Sequence, residues 1–179
     1  MVKNINFITL DISKDQLNKD KYDFINARFL LSHLKNPQEI LGKLKDKLNP
    51  NGIIYVEDVD FDGYFCYPEC YAFEKYKDYY KKTGAKLGAD ALIGPKLYKM
   101  FLNLNFKNVN VLSSNQAFNY GGGKLIAPLT LEAIAGTIID LKFETKESMN
   151  TIIQDLYNFY EQQDTIISLP RFFHVWGTN

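Results

Sequence analysis

Residues 22–60 have the sequence YDFINARFLLSHLKNPQEILGKLKDKLNPNGIIYVEDVD, and this stretch decides the fold. Its first six residues have the pattern of a strand, and residues 53–57 predict a second strand whose apolar start is buried on both faces. Between them, Asn36 can cap a helix whose first residue is Pro37, and an apolar stripe follows at helical spacing. Two strands joined by a helical crossover lie parallel, so the stretch predicts an α/β fold with a parallel sheet covered by helices.

The rest of the chain extends this core on both sides. Upstream, residues 4–10 alternate between polar and apolar side chains and predict one more strand, which ends at Asp11. Downstream the pattern is less regular, and Gly121 to Gly123 predict a flexible turn. The elements that we expect there are helices that begin near Pro68, Gly94, Thr130 and Thr145, and strands at residues 106–112 and 171–176. We therefore expect a single domain, residues 1–179, with helical insertions at about 68–104 and 130–162.

The composition argues against several classes of partner. The 179 residues include 21 basic and 21 acidic ones, so no net field attracts nucleic acid or an anionic membrane surface. No apolar run approaches the roughly 18 residues of a membrane span, and residues 1–10 do not resemble a signal peptide. Cys66 and Cys70 are too few for a secreted disulfide scaffold and favour a cytoplasmic location. With only His33 and His174 beside them, we expect no metal site.

Several segments resemble class I S-adenosylmethionine-dependent methyltransferases in their order and spacing. Residues 22–37 are similar to the fourth strand of that family and the loop after it. Leu48-Asn49-Pro50-Asn51-Gly52 resembles the turn before the fifth strand, and Glu57-Asp58-Val59-Asp60 resembles the acidic run at its end. Residues 106–112 and 171–177 look like the sixth and seventh strands, an antiparallel hairpin at one sheet edge. The resemblance implies a partial Rossmann-like sheet, with equivalents of strands 3, 4, 5, 7 and 6 and flanking helices.

The resemblance also implies an activity, the transfer of a methyl group from S-adenosylmethionine to a small molecule. In the family, the residue at Asp11 hydrogen-bonds the adenine amino group, and the backbone amide of the next residue, here Ile12, meets the ring. Asn26, Ala27 and Arg28 lie where the fourth strand ends, and ligands of parallel sheets bind at the carboxyl ends of strands. From the residues alone, Asp11 is equally a surface acid at a strand end, and Arg28 is equally an ion-pair partner of a nearby acid.

Other residues are candidates for contact with the methyl acceptor. His33 follows the loop and is a candidate general base, since a poorly ionised acceptor needs one. The alternative is a half-buried or helix-capping imidazole. Glu57, Asp58, Tyr64 and Tyr67 are candidate substrate contacts. Their alternatives are solvated loop acids and core aromatics.

Two motifs of the family have no counterpart here. They are the Gly-rich loop whose amides approach the cofactor and the acid that binds its ribose hydroxyls, so we expect the chain to begin after both. The fourth strand then lies at an open sheet edge. We expect one of three arrangements: residues 4–10 pair with it, two copies form a homo-oligomer through it, or a complementing N-terminal half covers it. The alternative function is a non-catalytic remnant or a partner-binding subunit that cannot hold the cofactor.

Overall fold

A computed structural model describes residues 4–179 as a four-stranded sheet, a helical layer and a small second sheet. The strands are β1 (Tyr22–Arg28), β2 (Leu48–Asp60), β3 (Cys66–Tyr67), β4 (Lys107–Ser114), β5 (Ala117–Phe118), β6 (Ile166–Ser168) and β7 (Arg171–Thr178). The helices are α1 (Pro37–Lys45), α2 (Tyr71–Leu87), α3 (Gly94–Asn103), α4 (Gly122–Asp140) and α5 (Lys146–Glu161). Short 3₁₀ turns occupy Leu31–His33 and Phe61–Gly63.

The large sheet has the strand order β1-β2-β7-β4. β1 and β2 are parallel and are joined through α1, so the strand, helix and strand predicted from residues 22–60 are confirmed. β7 runs antiparallel to both β2 and β4, which confirms the antiparallel pairing expected of the last two strands. The sheet is therefore mixed, and its buried centre is formed by β2 and β7, where Val56 lies opposite Val175.

One side of α1 closes this core. Ile40, Leu41 and Leu44 are buried on it, as the apolar stripe predicts. Pro37 is the first helical residue, but the Asn36 side chain makes no capping hydrogen bond, so the predicted Asn cap is wrong. The fixed backbone angle of proline at the first helical position starts the helix without that bond.

The predicted strand at residues 4–10 is wrong. The segment forms no strand, and Phe7 is 93% exposed. Alternation alone does not make a strand, because the backbone amides and carbonyls also need a neighbouring strand to bond. The chain instead turns at Asp11, whose carbonyl accepts from the amides of Lys14 and Asp15. β1 consequently lies at the edge of the sheet and, within residues 4–179, pairs only with β2.

Helix α4 also differs from the prediction. It begins at Gly122 rather than Thr130, so the expected flexible turn at Gly121 to Gly123 is wrong. Gly121 has a φ of 78°, which favours glycine, and a Cβ on Gly123 would lie 2.3 Å from Phe118 Cγ, so backbone conformation requires the first glycine and close packing requires the second. Among the described residues, α4 alone is long and apolar enough to cross a membrane, a test that core helices of globular proteins also pass.

The helical layer covers one end of the large sheet. Helices α2, α4 and α5 pack together around an aromatic and aliphatic cluster that includes Phe73, Tyr76, Leu131 and Leu156. The helix predicted to begin near Thr145 is confirmed as α5, and Thr145 caps it, since its hydroxyl oxygen accepts from the Ser148 amide at 3.2 Å. The small sheet, in the order β3-β6-β5, borders this layer. The space between the layer and the strand ends is where the candidate site lies.

Candidate functional site

A cavity of about 530 Å³ lies between the carboxyl ends of β1 and β2, the start of β7, the end of β4 and the helices α2 and α4. Crevices beyond the carboxyl ends of parallel strands are where α/β sheets bind ligands, and this volume suits a small molecule. Its walls are formed by Arg28, Phe29, Ser32, His33, Glu57, Val59, Phe61, Tyr76, Tyr80, Ser114, Gln116, Ile126, Thr130, Leu169, Pro170, Phe172 and His174.

One end of the cavity is a connected polar network. Arg28 Nε donates to Glu57 Oε1 at 2.8 Å, and Glu57 Oε2 lies 3.5 Å from His174 Nδ1. The other ring nitrogen, Nε2, is 2.9 Å from Ser114 Oγ. Behind the imidazole, the Tyr55 hydroxyl is 2.7 Å from Nδ1. The sheet pairing builds the network, because β1, β2, β7 and β4 are neighbours in that order and each contributes a side chain.

Burial keeps the tyrosines around the cavity neutral. It is the main cause of the raised pKa of Tyr55, and the Glu57 charge adds to it. Burial likewise raises the pKa of Tyr76 and of Tyr80 on α2. Tyr76 and Tyr80 therefore present no negative charge to a ligand, and Tyr55, which does not line the cavity, presents none to His174.

Much of the remaining cavity wall is aromatic. The Phe61 and Tyr80 rings stack with centroids 4.0 Å apart, and the Phe29 and Phe172 rings are tilted with centroids 5.2 Å apart. The Arg28 guanidinium lies 4.7 Å from the Phe29 ring centroid, so it connects the aromatic walls to the polar end. The cavity thus suits a ligand with an apolar or aromatic body and one polar end.

A second, polar depression of about 410 Å³ adjoins the cavity, and His33 lines both. Asp11 lies in its wall, together with Ser13, Lys14, Leu34, Lys35, Asn36, Glu39, Ile40 and Leu87. The Asp11 carboxylate is exposed and pairs with Lys14 Nζ at 2.7 Å. The hydrogen bond from Lys14 and then the one from the Ser13 amide lower the pKa of Asp11, so its carboxylate is favoured in the ionised form beside the Lys14 ammonium group.

The structure brings some of the predicted residues together. His33, Arg28 and Glu57 line the cavity, and His33 and Asp11 line the polar depression. Ile12 packs against the apolar cluster of the large sheet. Asn26 and Ala27 lie on β1 opposite Tyr55 and Val56 and do not line the cavity.

Three predicted substrate contacts lie away from the cavity. Asp58 follows Glu57 in the strand and so points to the opposite face, where its buried carboxylate accepts from the amides of Ser32 and Val59, each at 3.0 Å. Tyr64 is buried in the aromatic core, edge-on to Phe73. Tyr67 on β3 is 68% exposed. The side chains of Asp58 and Tyr64 lie in the protein interior and that of Tyr67 lies at the surface, and none of them lines the cavity.

Sequence reasoning missed His174, Ser114 and Tyr55 as site residues. One signal was present, since Tyr55 and Glu57 are two residues apart on a strand and must share a face. The partner was hidden because the pairing of Glu57 with His174 depends on a register of β2 and β7 that spans more than 100 residues of chain. Within residues 4–179, no three His, Cys, Asp or Glu side chains lie close enough to hold a metal ion.

The chain resembles many solved structures, and three of them illustrate the likeness. A candidate methyltransferase from Bacillus halodurans C-125 superposes with a TM-score of 0.57 at 13% identity, over 97% of this chain and 77% of that one. A SAM-dependent methyltransferase from Thermotoga maritima gives a TM-score of 0.46 at 13% identity, over 93% and 60%. Phosphoethanolamine N-methyltransferase 2 from Haemonchus contortus gives 0.44 at 13% identity, over 92% and 35%. The chain therefore spans about a third to three quarters of these proteins, and the first of them shows that the fold is shared.

Curated proteins contain no match to the chain. A family model described as a methyltransferase domain matches residues 2–111, which is more than half of the sequence. The matched part contains β1, α1 and β2, and hence the strand ends at which the cavity and the polar depression lie. The chain belongs to the methyltransferase-domain family.

Proposed function

We propose that the chain is a methyltransferase-type protein that uses S-adenosylmethionine to methylate a small molecule. The observation that carries the proposal is the pair of adjoining depressions at the strand ends, one polar and one aromatic, which share His33 as a common wall. A methyl donor and a methyl acceptor need two such compartments that meet, because an in-line transfer requires the two reacting atoms to be in contact. The polar depression takes the adenosine part of the cofactor, and the aromatic cavity takes the acceptor.

The residues of the polar depression fit the adenosine part. Asp11 offers an exposed carboxylate to the adenine amino group, and the Ile12 amide is the next backbone donor. Asn26, Ala27 and Arg28 form the end of β1, from which Arg28 reaches the methyl-transfer side. The only glycine cluster of the chain begins α4, so residues 4–179 supply no Gly-rich turn for the methionine part. When bound, the cofactor supplies a methyl group on a positively charged sulfur.

The acceptor is a small molecule rather than a macromolecule. The cavity is walled by the helical layer on one side and the sheet on the other, and the chain has no net charge to attract nucleic acid. In this proposal His33 borders the acceptor at the junction of the two compartments, and Glu57 contacts it at the polar end. The two free cysteines, Cys66 and Cys70, support a cytoplasmic location.

A second copy of the chain is the partner that we propose for the open edge of β1. Tyr22 and Phe24 are exposed there, and so are the apolar side chains of Ile5, Phe7 and Ile8. Unpaired strand edges with apolar side chains associate with other strands. A homo-oligomer formed through β1 covers this surface. The alternative is a complementing N-terminal half that pairs with β1, in which case the isolated chain would be monomeric.

Calorimetric titration with S-adenosylmethionine tests the proposed function. We expect measurable binding that Asp11→Ala weakens by about tenfold or more, since a hydrogen bond to a charged group contributes about 1.5–3 kcal/mol. Asp155→Ala, which removes an exposed acid from α5, is the matched control and should bind like the wild type. Absence of binding at millimolar cofactor would contradict the proposal and support a non-catalytic protein that keeps only the acceptor cavity.

A further inference from the structure

The polar network at the end of the cavity contains a hydroxyl, an imidazole and a carboxylate in sequence. Ser114 Oγ contacts His174 Nε2 at 2.9 Å, and Glu57 Oε2 lies 3.5 Å from His174 Nδ1. All three residues line the cavity, although they come from β4, β7 and β2. This order places a proton acceptor behind a hydroxyl group that faces the ligand space.

We propose that Ser114 and His174 form a proton relay that removes the proton of a hydroxyl-bearing methyl acceptor bound in the cavity. The inference rests on the proposed function and deepens it, because it names the class of acceptor. In this relay Ser114 contacts the acceptor hydroxyl, and His174 acts through Ser114 as the final proton acceptor.

The surroundings of His174 favour this role. Its ring is half-buried and held by contacts at both nitrogens, with Tyr55 and Glu57 on the Nδ1 side. A carboxylate beside an imidazole stabilises the imidazolium that forms when the ring accepts a proton. Arg28 in turn fixes Glu57 through a hydrogen bond of 2.8 Å. The charged or titratable groups that face the ring are therefore Glu57, Arg28 and the neutral phenol of Tyr55.

The other histidine lacks such support. His33 also lines the cavity, but none of the side-chain hydrogen bonds and ion pairs within residues 4–179 involves its ring. No side-chain partner there holds its ring, whereas the His174 ring is held by Tyr55 and Glu57 on β2 and by Ser114 on β4. Of the two imidazoles, His174 is therefore the better placed proton acceptor.

The charges of the cavity favour a neutral hydroxyl over an ammonium group. Among residues 4–179, the cavity wall contains one acid, Glu57, and one permanent cation, Arg28, and the two are paired. A protonated amine would meet no unpaired carboxylate and would face the Arg28 charge. A phenol or a similar alcohol places its ring between the aromatic walls and its hydroxyl at Ser114.

The proton balance of the step is complete. The acceptor O–H bond breaks and its proton passes to Ser114 Oγ, while the Ser114 proton passes to His174 Nε2. Methyl transfer forms the O–CH₃ bond and breaks the S–CH₃ bond, whose electron pair stays on sulfur. His174, left as an imidazolium beside Glu57, returns its proton to solvent after the product leaves.

Binding of 4-nitrophenol to the full chain tests the relay without turnover, since the phenol and the phenolate differ in absorbance. We expect the bound probe to ionise at a pH about one unit below that of the free probe, because the protonated imidazole stabilises the phenolate. In histidine NMR spectra, the probe should move the His174 signals toward those of the protonated ring and should not move the His33 signals in that direction. His174→Gln assigns the two sets of signals, since the chain has only two histidines.

Two variants distinguish the relay from a structural role. In His174→Gln the probe should still bind but ionise as it does in free solution. Ser114→Ala removes only one hydroxyl, and in this variant too the bound probe should ionise as it does in free solution. This variant still tests the relay if His174→Gln fails to fold. Tyr157→Phe, which removes an exposed hydroxyl on α5, should behave like the wild type.

Two results would overturn the relay. One is an unchanged ionisation midpoint when wild type and both variants bind the probe, and the other is absence of probe binding at millimolar concentration. The proposed function fails separately, through the cofactor titration. Cofactor binding with an unshifted probe refutes the relay alone, and a shifted probe without cofactor binding refutes methyl transfer by this chain.

Discussion

The centre and the edge of the large sheet differ sharply, although their strands have similar apolar sequences. In the centre, Ile54, Val56 and Val175 are fully buried between neighbouring strands and helices. At the edge, Phe24 on β1 is 58% exposed, and residues 4–10 form no strand beside it. Burial of a strand therefore follows from the neighbours it has, and less from its own pattern. The polar network lies at the end of the well-packed centre, whereas the open edge carries the surface for association.

The largest expected effect compares these two regions directly. Ile54→Ala should lower the free energy of unfolding by about 3 kcal/mol, because it leaves a cavity in the centre of the sheet. Phe24→Ala at the exposed edge should change it by no more than about 0.5 kcal/mol in the monomer. Urea unfolding at low protein concentration measures both. Equal losses would mean that β1 is as well packed as β2.

The next effect concerns the ion pair that joins the central strands. Arg171 on β7 donates to Asp60 on β2 through Nε at 3.0 Å and also through Nη2. Asp60 is buried, so Arg171→Ala leaves its carboxylate without a partner and should lower the free energy of unfolding by about 2 kcal/mol. This loss is smaller than for a fully buried pair because Arg171 is partly exposed. Lys81→Ala, which removes the exposed pair with Asp62, is the control and should cost less than about 0.5 kcal/mol. Equal shifts of the two urea midpoints would contradict the prediction that the buried pair contributes more stability than the exposed one.

A smaller effect tests the hydrogen bond behind the imidazole. Tyr55→Phe should lower the stability by about 1 kcal/mol through loss of the contact with His174. Because burial raises the pKa of Tyr55, the folded state holds the phenol proton more tightly than the unfolded state. The wild type should therefore lose stability as the pH rises above the ordinary tyrosine pKa of 10.0, and Tyr55→Phe should lose less. Thermal unfolding across that pH range measures the difference; parallel curves would contradict it.

The smallest effect on stability belongs to the edge, where the consequence is association. Phe24→Lys places a charge on the exposed edge of β1, and charged edge side chains oppose strand pairing. The unfolding free energy of the monomer should change by less than about 0.5 kcal/mol, while the oligomer should dissociate. Sedimentation at several concentrations measures the mass. A wild type that stays monomeric throughout would contradict pairing of two copies through β1.

The sequence predicts the centre of the fold better than its edge. The β1, α1 and β2 unit follows from local periodicity and helix-start signals, which need no knowledge of distant residues. The strand expected at residues 4–10 failed because it depends on a neighbour that local pattern does not contain. The predicted start of α4 was wrong because Gly122, Gly123 and Pro128 are poor helix formers in the local sequence. Packing against the rest of the protein determines that these residues are helical.

The candidate site divides in the same way. Arg28, His33 and Glu57 reach the cavity because strand ends and the loop after β1 are local features. The side chains of Glu57 and Asp58 point to opposite faces of the sheet. Which face borders the cavity depends on where the helices and neighbouring strands lie, and local pattern does not contain that information. Ser114 and His174 join the network through long-range strand pairing, which local pattern does not reveal.

Amide chemical-shift mapping during titration with S-adenosylmethionine tests most directly whether the strand ends of this chain hold the cofactor. We predict that the largest shifts occur at Asp11, Ile12, Arg28 and His33, which line or border the two compartments. Amides of α5, such as that of Asp155, should stay in place. Shifts confined to other parts of the chain, or no shifts at millimolar cofactor, would contradict the proposed function.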